Sequence, residues 1–136
     1  MRKSELRNGG FQIRYSTRLV ICVGKYAIKI PIEKRGYLQG LNEVRLWRKY
    51  QSKSLAPIYW GKFGIVCQRR CKPLRVFQKS LVANIRKQIP ELHIENCDLF
   101  NPENWGEYDC RPVLLDYGND KVISRMYNAV RRATKK

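Results

Sequence analysis

Residues 18–30 decide the fold, and they read Arg-Leu-Val-Ile-Cys-Val-Gly-Lys-Tyr-Ala-Ile-Lys-Ile. Two apolar, β-branched segments flank Gly24-Lys25, and glycine accepts the positive φ that a two-residue hairpin turn requires. The sequence therefore predicts two antiparallel strands, the second of which stops at Pro31 because proline cannot donate to the ladder. This places Lys29 on a central strand of a hairpin.

Further strands and three helices are predicted around this hairpin. Alternation of apolar and polar residues, or short apolar runs between turn residues, predicts strands. These strands cover residues 11–15, 58–60, 63–67 and 112–115, with a turn through Gly61-Lys62. Apolar residues at helical spacing predict helices over residues 36–50, 74–88 and 122–133. Residues 90–106 lack periodicity and are predicted to form a loop.

The first predicted helix carries an apolar stripe with an acidic residue beside it. Leu38, Leu41, Val44 and Trp47 recur at helical spacing and are expected to face the sheet. Glu43 precedes Trp47 by one turn, so it lies at the edge of the stripe and is expected to point toward the sheet as well.

Charge is distributed unevenly along the 136 residues, whose net charge is +17. Residues 91–120 hold eight of the eleven acidic residues and a single basic one, Arg111. A local acidic segment is a plausible place for a divalent cation, and the basic remainder favours phosphate-rich or acidic partners. With 43% hydrophobic residues the chain is expected to fold as one domain with a modest core.

No membrane association is expected from the sequence. The longest strictly apolar run, residues 19–23, is far too short to cross a bilayer. No signal peptide is recognised either, so a cytoplasmic location is expected. The oligomeric state is left open.

Five polar residues along the chain have side chains suited to binding phosphate or a metal ion, or to supporting a residue that does: Lys29, Glu43, Asp98, Asn104 and Asp116. A lysine amine can hold phosphate oxygens, and a glutamate beside it keeps the amine charged. Carboxylate and amide oxygens are the ligands that Mg²⁺ prefers. The residue types are therefore ones that could together hold a phosphorylated ligand and a metal ion.

The motifs around these residues resemble those of the protein-kinase-like superfamily. Tyr26-Ala27-Ile28-Lys29 is similar to the Val-Ala-Ile-Lys motif, and Asp116-Tyr117-Gly118 is similar to Asp-Phe-Gly. Asp98-Leu99 followed by Asn104-Trp105-Gly106 is similar to the catalytic-loop aspartate and its downstream asparagine. The resemblance spans residues 11–120 and is closest to small, divergent kinase-like proteins of bacteria and their phages.

The resemblance implies a role for each of these residues. Lys29 would contact the α- and β-phosphates of ATP, and Glu43 would pair with Lys29. Asp98 would accept the proton of the attacking hydroxyl, while Asn104 and Asp116 would bind Mg²⁺.

Two further residues are implied as nucleotide contacts. The linker over residues 69–73, with Cys71 at its centre, would pass the adenine and offer backbone hydrogen bonds. The usual Gly-rich turn is replaced by Tyr15-Ser16-Thr17-Arg18, where Arg18 would act on the phosphates by its charge.

The implied fold class is α+β: a kinase-like N-lobe of one antiparallel sheet and one helix, with a much reduced helical C-lobe. Residues 1–10 would form a basic flexible arm, and residues 11–68 the N-lobe-like sheet and helix. Residues 69–136 would hold the linker and the reduced C-lobe, with its catalytic-type loop and terminal helix.

Three functions remain open at this point. One is an ATP- and Mg²⁺-binding protein that acts as a minimal phosphotransferase. The second is a catalytically inactive, kinase-like binding module that uses its basic surface to hold nucleic acid or to inhibit an acidic host protein. The third is a basic nucleic-acid-binding α+β domain in which the order of the motifs is accidental.

Overall fold

The computed structural model describes residues 2–5, 11–15 and 17–118, with side chains described for residues 17–118. Within these ranges the fold is α+β, as predicted, with two antiparallel sheets and three α-helices. The helix predicted over residues 122–133 lies outside the described residues.

The larger sheet has six strands in the spatial order β1-β2-β3-β4-β6-β5. In chain order these strands are β1 (Arg2–Glu5), β2 (Phe11–Tyr15), β3 (Arg18–Val23), β4 (Tyr26–Pro31), β5 (Ile58–Lys62) and β6 (Ile65–Arg69). The predicted hairpin is confirmed: Gly24 has a φ of 56°, and Val20 lies opposite Lys29 in the ladder. Residues 2–5 form an edge strand where the sequence predicted part of a flexible arm, because backbone pairing with β2 does not require apolar side chains.

Helix α1 (Lys34–Tyr50) packs on this sheet through a face that coincides only in part with the predicted apolar stripe. Val44 and Trp47 pack against the core and Glu43 is buried, as predicted, but Leu41 is exposed. A Cβ built on Gly40 would lie 2.1 Å from the carbonyl oxygen of Gly64, so the helix can approach the sheet only because this position has no side chain. Close backbone packing at Gly40 thus determines which side of the stripe is buried.

The smaller sheet contains β7 (Lys72–Pro73), β8 (Trp105–Tyr108) and β9 (Arg111–Leu114), in that spatial order. Two helices lie between β7 and β8 in the chain: α2 (Ser80–Gln88) and α3 (Asn96–Leu99), followed by a 3₁₀ turn over Pro102–Asn104. The two parts of the fold share a core of apolar side chains. It contains Leu46, Leu55, Ile58, Val66, Val82, Ile85, Ile89, Leu92, Ile94, Leu99, Trp105, Leu114 and Tyr117.

Three local predictions are wrong. The second helix begins at Ser80 rather than residue 74, because β7 keeps the chain extended and Glu107 binds the amide of Arg75. Residues 90–106 contain α3, the 3₁₀ turn and the start of β8, elements too short to show periodicity. The turn after β5 uses Phe63-Gly64, both with positive φ, whereas Gly61 lies within β5 and makes room for Val44.

Among residues 2–5, 11–15 and 17–118, no helix has the length and apolar character needed to span a bilayer.

Candidate functional site

The predicted pairing of Lys29 with Glu43 is present in the core of the protein. Lys29 extends from β4, and its Nζ lies 3.1 Å from both carboxylate oxygens of Glu43 on α1. It also donates to the carbonyl oxygen of Leu115 at 2.7 Å. Lys29 is 3% exposed and Glu43 is 0% exposed, so the ion pair is shielded from water.

Arg18 joins this pair from β3 and binds two carboxylates at once. Its Nη1 and Nη2 donate to the two oxygens of Glu43 at 2.9 and 3.0 Å, the fork geometry that makes arginine–carboxylate pairs strong. Nη2 also donates to Oδ1 of Asp116 at 2.8 Å. We call Arg18, Lys29, Glu43 and Asp116 the charge cluster.

The turn after β9 completes the coordination of Glu43. The backbone N–H groups of Tyr117 and Gly118 both donate to Oε2 of Glu43, each at 3.2 Å. A Cβ at Gly118 would lie 2.1 Å from the carbonyl oxygen of Gln39 and 2.6 Å from Cγ of Glu43. Only glycine can bring the turn this close to the helix, so Asp116-Tyr117-Gly118 is built around Glu43.

These contacts move the pKa values of the buried groups. Burial alone would raise the pKa of Glu43, but the charges of Arg18 and Lys29 outweigh it and lower the pKa to about 2. Burial lowers the pKa of Lys29, and Glu43 opposes this effect only in part. Burial also acts to lower the pKa of Arg18, but Glu43 and Asp116 outweigh it, so the pKa lies above its ordinary value. Glu43 is therefore ionised in the fold.

Asp98 and Asn104, the predicted loop residues, lie next to the end of β9. The side-chain amide of Asn104 donates to the carbonyl oxygen of Asp98 at 2.9 Å, and the N–H of Leu115 donates to the carbonyl oxygen of Asn104 at 2.8 Å. Burial raises the pKa of Asp98, and Asp116 raises it further. The loop and the charge cluster are thus neighbours, joined through the residue that precedes Asp116.

The two predicted metal ligands are both engaged with protein groups. Asp116 is bound by Arg18 through Oδ1, and its side chain is 46% exposed. Asn104 uses its Nδ2 to hold the catalytic-type loop. In the part of the chain that the structure describes, no three His, Cys, Asp or Glu side chains are grouped so that they could hold a metal ion.

A cavity of about 390 Å³ opens between the two sheets beside Lys29. Cys22 and Ala27 line it from the larger sheet, while Trp105 and Leu115 line it from the smaller one. The segment 69–74 forms a third wall and includes Cys71, the predicted nucleotide contact. Burial raises the pKa of the Cys71 thiol to about 11, so this cysteine is a neutral lining group and not a thiolate.

Sequence reasoning missed Gln68 as a member of the site. Gln68 is buried, lines the cavity, and donates through Nε2 to the carbonyl oxygen of Leu115 at 2.9 Å, next to the bond from Lys29. The signal was its position two residues after Val66 on the same face of β6, which marks an inward-pointing polar residue.

Comparisons with protein-family models, with curated proteins and with solved structures found no match to this chain. Its function therefore has to be inferred from the geometry of the charge cluster and the cavity.

Proposed function

We propose that this protein is a kinase-like nucleotide-binding protein that holds ATP or a related nucleotide in the cavity between its two sheets. The observation that carries the proposal is the Lys29–Glu43 ion pair, which lies at the cavity wall directly beside the turn that bears Asp116. An acid-paired lysine at the inner end of a cleft is the arrangement by which kinase-like folds hold nucleotide phosphates.

The dimensions and lining of the cavity support a nucleotide. Small-molecule sites usually enclose 300–1,000 Å³ and combine apolar walls with a few polar groups. Here Ala27 and Leu115 offer apolar surfaces to a flat base, and the segment 69–72 brings peptide groups to its edge. Lys29 supplies the positive charge for phosphate oxygens at the inner end.

The arrangement of elements supports the kinase-like assignment. A six-stranded antiparallel sheet carries one long helix, α1, whose glutamate binds the strand lysine. A short linking strand, β7, leads to a much smaller second unit with α2, α3 and the turn of Asp116. We propose that these correspond to an N-lobe and a reduced C-lobe.

Magnesium, which the resemblance implies, does not fit Asp116 in this arrangement. A divalent ion on that carboxylate would lie against the guanidinium of Arg18, which is only 2.8 Å from Oδ1. Like charges beside one carboxylate repel each other, so the guanidinium on Oδ1 disfavours a divalent ion at the other oxygen of Asp116. The proposal is therefore nucleotide binding without an assigned metal.

Phosphoryl transfer would be an additional activity of the same site, with Asp98 accepting the proton of the attacking hydroxyl. Its support is the position of Asp98 beside Asn104 and within electrostatic reach of Asp116. Turnover of ATP by the wild-type protein, abolished by Asp98→Asn, would establish it. ATP binding without turnover would support the catalytically inactive alternative.

Nucleotide binding is tested by thermal melting with and without ATP. We expect ATP to raise the melting temperature of the wild-type protein and to leave that of Ala27→Phe unchanged, because the ring would fill the cavity. Ile28→Phe is the matched control: it adds the same ring to the opposite face of β4 and should keep the shift. An ATP-induced shift that survives in Ala27→Phe would contradict the proposed site.

A second candidate function is binding of nucleic acid or an acidic protein at an outer groove between α1 and β5. This groove is lined by Leu41, Val44, Arg45, Arg48, Lys49, Tyr59, Trp60, Gly61, Lys62 and Gly64. Its aromatic side chains Tyr59 and Trp60 are about half exposed, as expected of a surface that stacks on bases. Binding of single-stranded DNA that weakens steeply with salt, and weakens further in Trp60→Ala, would support it.

A further inference from the structure

We infer that Arg18 takes the place of a divalent cation at Asp116, so that the cavity binds a nucleoside polyphosphate as its metal-free anion. The inference rests on the proposed function, since it specifies the form in which the nucleotide is bound. It assigns Arg18 a role as an internal counter-ion rather than as a direct phosphate contact.

The first support is the way Arg18 is bonded. Both terminal nitrogens of its guanidinium donate to carboxylate oxygens, two on Glu43 and one on Asp116, at 2.8–3.0 Å. The residue is 5% exposed, so it is part of the interior. A buried guanidinium in this position offsets the negative charge of Asp116.

The second support is that the backbone fixes Arg18 where it is. Gly36, at the start of α1, lies against Thr17 and Arg18. A Cβ on Gly36 would lie 2.2 Å from the carbonyl oxygen of Thr17 and 2.8 Å from Cγ of Arg18. The side chain of Thr17 is also tied to Gln39 of the helix by a hydrogen bond of 2.6 Å. These contacts hold the backbone before Arg18 and the base of its side chain against α1.

The third support is the balance of charge within the cluster. Arg18 and Lys29 contribute two positive charges, and Glu43 and Asp116 contribute two negative ones. The charge cluster is therefore neutral without a metal ion, and the acidic excess that draws a divalent cation to such sites is absent from it.

The fourth support is the positive wall of the cavity itself. Lys29, Arg69, Arg70 and Lys72 line it against a single acidic residue, Glu103. Arg69, Arg70 and Lys72 lie outside the neutral charge cluster, so these cations can balance the charge that Mg²⁺ would otherwise neutralise on the phosphates.

The inference is tested by calorimetric titration of ATP into the full-length protein, once in EDTA and once in excess MgCl₂. We expect ATP to bind in EDTA at least as tightly as in Mg²⁺. Binding that tightens about threefold or more in Mg²⁺, or that occurs only there, would overturn the inference and leave the proposed function standing. No binding in either buffer would overturn both.

Substitution of Asp116 tests the same point without replacing Arg18 itself. Asp116→Asn should leave the ATP affinity in either buffer unchanged or higher, because it removes a negative charge and no metal ligand. An affinity in Mg²⁺ that falls by about tenfold in this variant would show that Asp116 is a metal ligand and would refute the inference. Asp109→Asn, at an exposed position on the β8–β9 turn, is the matched control.

Arg69→Gln tests the positive wall. Because Arg69 would replace part of the metal's charge, we expect the ATP affinity in EDTA to fall by about tenfold. Arg75→Gln, which is exposed and does not line this cavity, should bind as the wild type does. If Arg69→Gln bound ATP as tightly as the wild type, this would contradict the claim that side-chain cations balance the negative charge of the phosphates.

Discussion

Nη2 of Arg18 lies 2.8 Å from Oδ1 of Asp116, although the two residues are 98 positions apart in the sequence. The contact joins β3 of the larger sheet to the turn that follows the smaller one. Because Arg18 also holds Glu43, the ion pair links three elements through one guanidinium. The cluster that lies at the proposed nucleotide site is therefore also part of what holds the two sheets together.

Glu43→Gln should destabilise the protein severely. The substitution removes the partner of two buried cations, and breaking a buried ion pair on one side typically costs about 3–5 kcal/mol. Urea denaturation measures the change. Glu91→Gln, which removes an acid from an exposed pair with Lys49 and Arg45, should unfold at nearly the wild-type midpoint. Equal midpoints for the two variants would show that the cluster contributes little to stability.

The stability of the protein should depend on pH through Glu43. Its pKa is about 2 in the fold against 4.5 when unperturbed, so the unfolded chain binds the proton first. The stabilisation from this group is therefore complete above pH 4.5 and is lost as the pH falls toward 2. Urea midpoints of the wild type and Glu43→Gln, measured across this range, should converge as the pH decreases. A gap that stays constant down to pH 2 would contradict the depressed pKa.

Gly40→Ala should be destabilising although alanine is the better helix former. Its Cβ would lie 2.1 Å from the carbonyl oxygen of Gly64, so α1 would have to move away from the sheet. Overpacking of this kind costs about 1–3 kcal/mol, more than the gain of about 1 kcal/mol in helix propensity. Leu41→Ala, at the neighbouring exposed position of the same helix, is the control and should change the melting temperature little. A more stable Gly40→Ala protein would mean that the helix does not pack this closely.

Tyr117→Phe removes one buried hydroxyl group from the core. The Tyr117 hydroxyl donates to the carbonyl oxygen of Ala56 at 2.9 Å in the fully buried core. Its removal leaves that carbonyl with one bond fewer and should cost about 1–2 kcal/mol, measured by denaturation. Tyr37→Phe removes an exposed hydroxyl and is expected to be neutral. If Tyr117→Phe left the free energy of unfolding unchanged, the Tyr117 hydroxyl of the wild type would be in contact with solvent rather than bonded in the core.

Much of the larger sheet could be predicted because its signals are local. Residues 18–31 carry two alternating segments and a glycine turn, and their strands were predicted to within one residue. The pairing of Lys29 with Glu43 was also predictable, since a lysine on an inward strand position needs an acid nearby.

The orientation of α1 could be predicted only in part from its apolar stripe, because Val44 and Trp47 pack on the core as expected but Leu41 is exposed. The buried face contains Gly36, Gly40 and Glu43, residues that count as polar or neutral in any hydrophobic pattern. Close packing of two glycines and neutralisation of one carboxylate by two cations outweigh the burial of Leu41. The close packing of the glycines and the neutralisation of Glu43 both depend on residues distant in sequence. The periodicity of the helix itself cannot reveal such contacts.

The role of Arg18 was also beyond local reasoning. It was predicted to act on phosphates by its charge, but the structure turns it inward onto Glu43 and Asp116. The burial of Arg18 depends on how α1 and the turn after β9 pack around it. The sequence of residues 15–18 contains no signal for either of these contacts. Cys71 and the segment around it line the cavity, and their contact with a nucleotide stays a prediction.

The most direct test of nucleotide binding in the cavity is an NMR titration of ¹⁵N-labelled protein with ATP in EDTA. We expect the backbone amide signals of Ala27, Cys71 and Leu115 to shift together and to saturate, because these residues line three walls of the cavity. Shifts confined to Trp60 and Lys62 in the outer groove, or an absence of saturable shifts both in EDTA and in a second titration in excess MgCl₂, would contradict the account.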